Sequence, residues 1–119
     1  MSADDLKRAS TAISSVVAEL HRAHYGRGAD RVRTTITGDL VVTVLEDPFT
    51  VVEKKMIREG EFSKTRETRT MFQDWMRESF VAAVEDATGR KVRQFFSQVA
   101  RDPDTAVELF LLEPDGAHT

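Results

Sequence analysis

The chain has 119 residues, with 17 Lys and Arg against 20 Asp and Glu and a formal net charge of −3, and a length of this order supports one hydrophobic core without a metal or disulfide staple. It contains no cysteine, which excludes disulfide frameworks, thiolate metal sites and cysteine nucleophiles and fits a reducing, cytoplasmic setting. The acidic balance argues against nucleic acid as a general partner, and no apolar run approaches the roughly 18 residues of a membrane span.

Met1-Ser2-Ala3-Asp4-Asp5 is acidic where a secretory signal would be basic and then apolar. Residues 5–25 place Leu6, Ile13, Val16, Val17, Leu20 and His24 at helical spacing with polar residues opposite, which predicts an amphipathic helix ending at Gly26. Residues 31–37 then alternate, with Val32, Thr34 and Ile36 on one face and Arg31, Arg33 and Thr35 on the other, as in a half-buried strand. Gly38-Asp39 makes the hairpin turn. The return strand, Leu40 to Leu45, is almost wholly apolar, which requires a central place in a sheet or cover from another chain.

Thr50-Val51-Val52-Glu53 has capping-box spacing and predicts a short helix with Val52, Met56 and Ile57 on its buried side and a break or kink at Gly60. A long helix follows from about Glu61 to Thr88, polar through residues 63–70 and then carrying Phe72, Trp75, Met76, Phe80, Ala83, Val84 and Ala87 on one stripe. Gly89 caps it. A second hairpin, Lys91–Val99 and Thr105–Glu113, turns at Arg101-Asp102-Pro103-Asp104. The expectation is one domain over residues 1–119, with a core at about 5–113 and a frayed tail at 114–119. The order α-β-β-α-α-β-β predicts an α+β fold, a four-stranded antiparallel sheet with helices on one face.

A helix, a Gly-Arg turn and two strands thus occur twice, at 5–46 and 70–113. Gly26-Arg27 returns as Gly89-Arg90, Arg31-Val32-Arg33 as Lys91-Val92-Arg93, and residues 40–46 as 107–113. Internal duplication accounts for this, and so does the general likeness of any two α-ββ units; the fold is the same either way.

Among residues able to carry chemistry, the doubled basic cluster of Arg27, Arg31 and Arg33 with Arg90, Lys91 and Arg93 is a candidate anion site. If a twofold relation opened both halves onto one face, arginine forks there would bind carboxylate, phosphate or bicarbonate. The plainer reading is a solvated strand face balanced by Asp30, Asp39 and Glu46. His21 and His24 share a helix face and are weak metal candidates, because three or four ligands are normally needed. No serine sits in a nucleophile elbow, and no Gly-rich phosphate loop follows a strand. Neither an enzyme nor a cofactor is expected. Leu109-Phe110-Leu111-Leu112 is too apolar for one face to meet water, so these residues and Trp75 are candidate interface positions, and a homodimer through the sheet or the long helix is the simplest cover.

Tyr25-Gly26-Arg27-Gly28, the strand 39–46, Thr50-Val51-Val52-Glu53-Lys54, the segment Phe72–Phe80 and the run Thr88–Ser97 together resemble the MpsC-like family of small bacterial and archaeal proteins, over roughly residues 10–113. Two departures concern loops, Ala29 where the family pattern has proline and Asp47-Pro48-Phe49 where it has a Gly-x-Leu lead. The family takes its name from a sodium-translocating, membrane-potential-generating system, and membrane subunits of that type of locus are concerned with inorganic-carbon uptake. The resemblance therefore implies a non-enzymatic accessory or regulatory role beside membrane transport subunits, at the cytoplasmic face of the membrane. It assigns no catalytic residues. A small-anion or nucleic-acid sensor built on the basic clusters is the alternative.

Overall fold

Two capping boxes start helices, one at Thr50 as the sequence predicts and one at Ser2, which begins the first helix two residues before the expected residue 5. Ser2 accepts the Asp5 amide while the Asp5 carboxylate accepts the Ser2 amide, and Thr50 and Glu53 do the same for each other, which satisfies amides that a helix start leaves free. The computed structural model describes residues 1–114, so the expected frayed tail, apart from Pro114, lies outside the described residues. Helix α1 spans Ala3–Tyr25, α2 Val51–Arg58 and α3 Phe62–Thr88; strands β1 Arg31–Thr37, β2 Leu40–Glu46, β3 Val92–Ala100 and β4 Thr105–Leu112 complete the expected order. The strands form one antiparallel sheet in the order β1-β2-β4-β3, with α1 and α3 packed on one face.

The all-apolar strands β2 and β4 occupy the centre. Their inner side chains, Val41, Leu45, Ala106, Phe110 and Leu112, meet Ile13 and Val17 of α1 and Met76, Phe80 and Val84 of α3 in the core. Phe80, Phe95 and Phe110 stack in series, with ring centroids 5.9 and 5.0 Å apart. The outer faces of the same strands, Leu40, Val42 and Val44 with Val107, Leu109 and Leu111, are only half-buried, because no described element covers them.

Exchanging β1 with β3 and β2 with β4 returns the same strand order, so the two α-ββ units are related by a pseudo-twofold axis normal to the sheet. The equivalences differ from the motif reading. Buried Ile13 and Val17 on α1 correspond without gaps to buried Met76 and Phe80 on α3, the caps Gly26 and Gly89 correspond, and the same spacing pairs Val32 with Phe95 rather than with Val92. The longer β3–β4 turn and a bulge between Val92 and Gln94 shift the register that similar strand sequences suggested.

A polar row crosses the middle of this core. Thr34 pairs with Thr43, Thr43 with Glu108, and Glu108 with Ser97, so one residue from each strand faces the helices in line. Ser14 of α1 extends it, with hydroxyl contacts of 2.7 Å to Thr34 and 2.9 Å from Thr34 to Thr43.

Helix α3 departs from its expected stripe. The buried column runs Thr65, Arg69, Gln73, Met76, Phe80, Val84, Thr88, whereas Trp75 is 70% exposed and Phe72 is half-buried. The stripe therefore continues through the polar segment 63–70, whose composition reads as solvated, because an arginine occupies a core position there. On α1 the buried histidine is His21 and not His24. Gly60 does more than kink a helix: its φ of 83° is left-handed, like the 70° of Gly89. A Cβ at either glycine meets nothing within 4 Å, so backbone strain alone sets the cost. Gly60→Val and Gly89→Val should each lose about 2 kcal/mol, and a melting experiment in which only Gly89→Val is destabilised would contradict this geometry.

Candidate functional site

Arg69 is the largest of the side chains less than 2% exposed, and everything polar at its end of the molecule is arranged around it. Its Nε and Nη2 form a fork on Glu53, at 2.6 and 2.7 Å. Nη2 also donates to the Pro48 carbonyl at 2.6 Å, and Nη1 lies 3.2 Å from Nε2 of His21. The guanidinium stacks on Tyr25, its central carbon 3.7 Å from the ring centroid, with Phe49 at 5.3 Å. Arginine suits this place because it stays charged and its planar fork matches a carboxylate.

The partners come from three elements. Glu53 belongs to the α2 capping box, so one carboxylate both starts α2 and ties it to α3. Burial pushes the Glu53 carboxyl up, but hydrogen bonds from Arg69 and Thr50 and the Arg69 charge outweigh it, and its pKa lies below the ordinary value. His21 Nδ1 is 3.1 Å from the Arg27 carbonyl, which can only accept. Nδ1 therefore carries the proton, and Nε2 accepts from Arg69. Burial and then the Arg69 charge lower the His21 pKa to about 4. Burial raises the Tyr25 phenol to about 12, and its oxygen has no hydrogen-bond partner among the described residues.

Arg27 braces the β2–α2 loop by donating to the carbonyls of Asp47 and Phe49 and pairing with the Asp47 carboxylate at 3.4 Å. A hydrogen bond from Lys54 is the main reason that the Asp47 pKa is lowered. At the opposite end Arg90 donates to the Gly38 and Glu113 carbonyls and pairs with Asp39 at 2.5 Å, joining the β1–β2 turn to the end of β4.

The six basic candidates are thus not brought together. Arg31 and Arg33 are exposed on edge strand β1, each 3.8 Å from Glu46. Lys91 and Arg93 are exposed at the start of the other edge strand, β3. Three strand spacings, roughly 14 Å, separate the edges, and the axis that relates the clusters also sends them to opposite ends. Both ring nitrogens of His21 are occupied and His24 is exposed, and the described residues contain no group of three or more His, Asp or Glu able to hold a metal. Of the interface candidates, Phe110 and Leu112 are enclosed in the core; Leu109 and Leu111 lie on the open sheet face and Trp75 on the outer side of α3. The ionic cluster is absent from the sequence expectations. Its one visible sign is the spacing that puts Thr65, Arg69 and Gln73 in line with Met76 and Phe80.

These features define a two-layer α+β protein of two pseudo-equivalent halves, with an ionic cluster buried beside one of them and one apolar sheet face open. No described helix is long and apolar enough to cross a membrane. The family model described as MpsC, Na+-translocating membrane potential-generating system, matches residues 6–114, and the chain belongs to that family. Neither curated proteins nor solved structures yield a match.

Arg69→Met should cost about 3–5 kcal/mol in denaturant unfolding, since it leaves Glu53 buried without its partner; Arg69→Lys should recover less than half, because an ammonium cannot make the fork. A second test concerns pH. The unfolded chain takes up a proton on His21 below about 6.5 and the folded chain resists it to about 4, so this histidine lowers stability as pH falls through that window, by up to about 3 kcal/mol. Urea titrations of His21→Asn and wild type should show a smaller loss between pH 6.5 and 5 in the variant; equal losses would show that His21 does not stay neutral.

Proposed function

We propose that this protein is a non-enzymatic accessory or regulatory subunit of a membrane ion system, acting as a single domain from the cytoplasmic face. The family description supports a link to Na+ translocation and membrane potential, and the finer reading is a system for inorganic-carbon (bicarbonate) uptake. The observation that carries the proposal is the open sheet face. Val42, Leu109 and Phe96 are cross-strand neighbours on β2, β4 and β3, as are Val44 and Val107 on the two central strands. They form an apolar band that is half-buried or exposed, with Phe96 at 51%. Such a band is suited to holding another protein surface.

Two copies pairing through this face would stack their sheets as a sandwich, an isologous arrangement that buries the band of each copy against the other. Trp75, with Met71 one helical turn before it, leaves a second apolar surface on the outer side of α3 for a membrane-complex subunit; both residue types are enriched in interface cores. The charged residues on the open face, Arg31, Arg33 and Glu46, lie at its β1 margin.

The experiment is co-expression with the membrane subunits of the system, followed by membrane fractionation and measurement of Na+-dependent potential in vesicles. The protein should sediment with the complex, and Trp75→Glu should release it. Light scattering at micromolar concentration should give a dimer for wild type and a monomer of unchanged circular dichroism for Leu109→Glu. A wild-type monomer would remove the dimer from the proposal, and a potential indifferent to the protein would remove the accessory role.

A further inference from the structure

Glu108 stands in the polar row at the pseudo-twofold axis, where its counterpart across the axis is Thr43. It is 3% exposed, and its Oε2 and the Ser97 hydroxyl beside it have no hydrogen-bond partner among the described residues. Unlike the threonine across the axis, the carboxyl carries an ionisable proton into the centre of the sheet. The groups within reach of it are Ser97 of β3 and Thr43 of β2, its cross-strand neighbours, Tyr25 of α1 and Arg69 of α3; His21 and Glu53 lie one contact further out, on Arg69. Of these, only Arg69 is positively charged at neutral pH, and it is already held by Glu53.

We propose that Glu108 is a proton site that controls the attachment of α2: protonated, it stays within the row and leaves Arg69 to Glu53; ionised, it competes with Glu53 for the guanidinium and loosens the fork that ties α2 to α3. Burial raises its pKa to about 8, against the opposing pulls of Ser97 and Arg69, which places the change just above neutrality. The bound species is a proton and not a metal cation, because a guanidinium within electrostatic reach repels a second positive centre. Helix α2 is suited to respond: it has no fully buried residue, Val51 and Val52 face solvent, and Ile57 is only partly buried against the core, so the polar anchors Glu53, Lys54 and the cap carry much of its attachment. This inference does not depend on which membrane system the protein serves.

The test follows two quantities between pH 6 and 10, the carboxyl 13C shift of Glu108 and hydrogen-exchange protection of α2 amides corrected for intrinsic rates. In wild type the carboxyl should titrate near pH 8, and α2 protection should fall by tenfold or more around the same midpoint while the β2 and β4 amides stay protected. Glu108→Gln, held neutral, should keep α2 protected throughout, and Glu53→Gln should expose α2 at every pH. A Glu108 midpoint near the ordinary 4.5 would overturn the proposal. So would α2 protection that falls equally in Glu108→Gln, or that stays constant while Glu108 titrates. A midpoint that moves with sodium concentration at fixed ionic strength would overturn the proton assignment in favour of a metal cation. If Glu108→Gln fails to fold, Glu108→Thr, which copies the residue across the axis, answers the same question.

Discussion

A charge that cannot be neutralised lies inside this protein, and the surroundings of Arg69 are what make that tolerable. Taking a guanidinium out of water costs several kcal/mol even after relaxation, and the cost is offset only when the geometry is close and every donor is used. Glu53 supplies the counter-charge, Pro48 and His21 supply acceptors, and Tyr25 supplies a ring face. Each demand fixes something else. The histidine must remain neutral, α2 must begin at Thr50 so that Glu53 is in place, and the loop before α2 must turn its carbonyl inward, which Arg27 secures from outside.

The cluster also marks where the two halves of the chain stop being alike. In the α-ββ repeat the position matching Arg69 is Leu6, and no helix follows β4 among the described residues as α2 follows β2. Arg27 and Arg90, by contrast, do comparable work at the two ends, each tying a loop or turn to the end of a central strand. The shared framework is one of caps, braces and apolar columns. Arg69 and its partners Glu53 and His21, together with Glu108, all depart from it.

Much of the framework was legible in the sequence because it is written in local signals. Alternation, the Thr50 capping box and the Gly-Arg turns set the element order and nearly all the boundaries, and the apolar run at 40–45 announced a central strand, while the run at 109–112 read as an interface although Phe110 and Leu112 belong to the core. The ionic cluster was not legible in the same way. Residues 63–70 look solvated since composition weighs an arginine as surface, and only the position of Arg69 on the helical column, together with a carboxylate sixteen residues earlier, reveals otherwise. The doubled basic motifs misled for a related reason. Similar strand openings suggested one register, while the bulge in β3 and the longer turn after it imposed another, and the symmetry that doubles the clusters also parts them.

The placement of the axis has a further consequence, for ancestry. An α-ββ unit half this length would build the same sheet by pairing with a copy of itself, its second strand beside its twin. In that assembly every residue on the axis meets its own duplicate, and a buried glutamate there would face another glutamate, two carboxyls competing for one proton in a dry core. Within one chain the two halves are free to differ at the axis, so a threonine stands on one side and a single acid on the other, and Glu108 has no second carboxyl with which to share its proton.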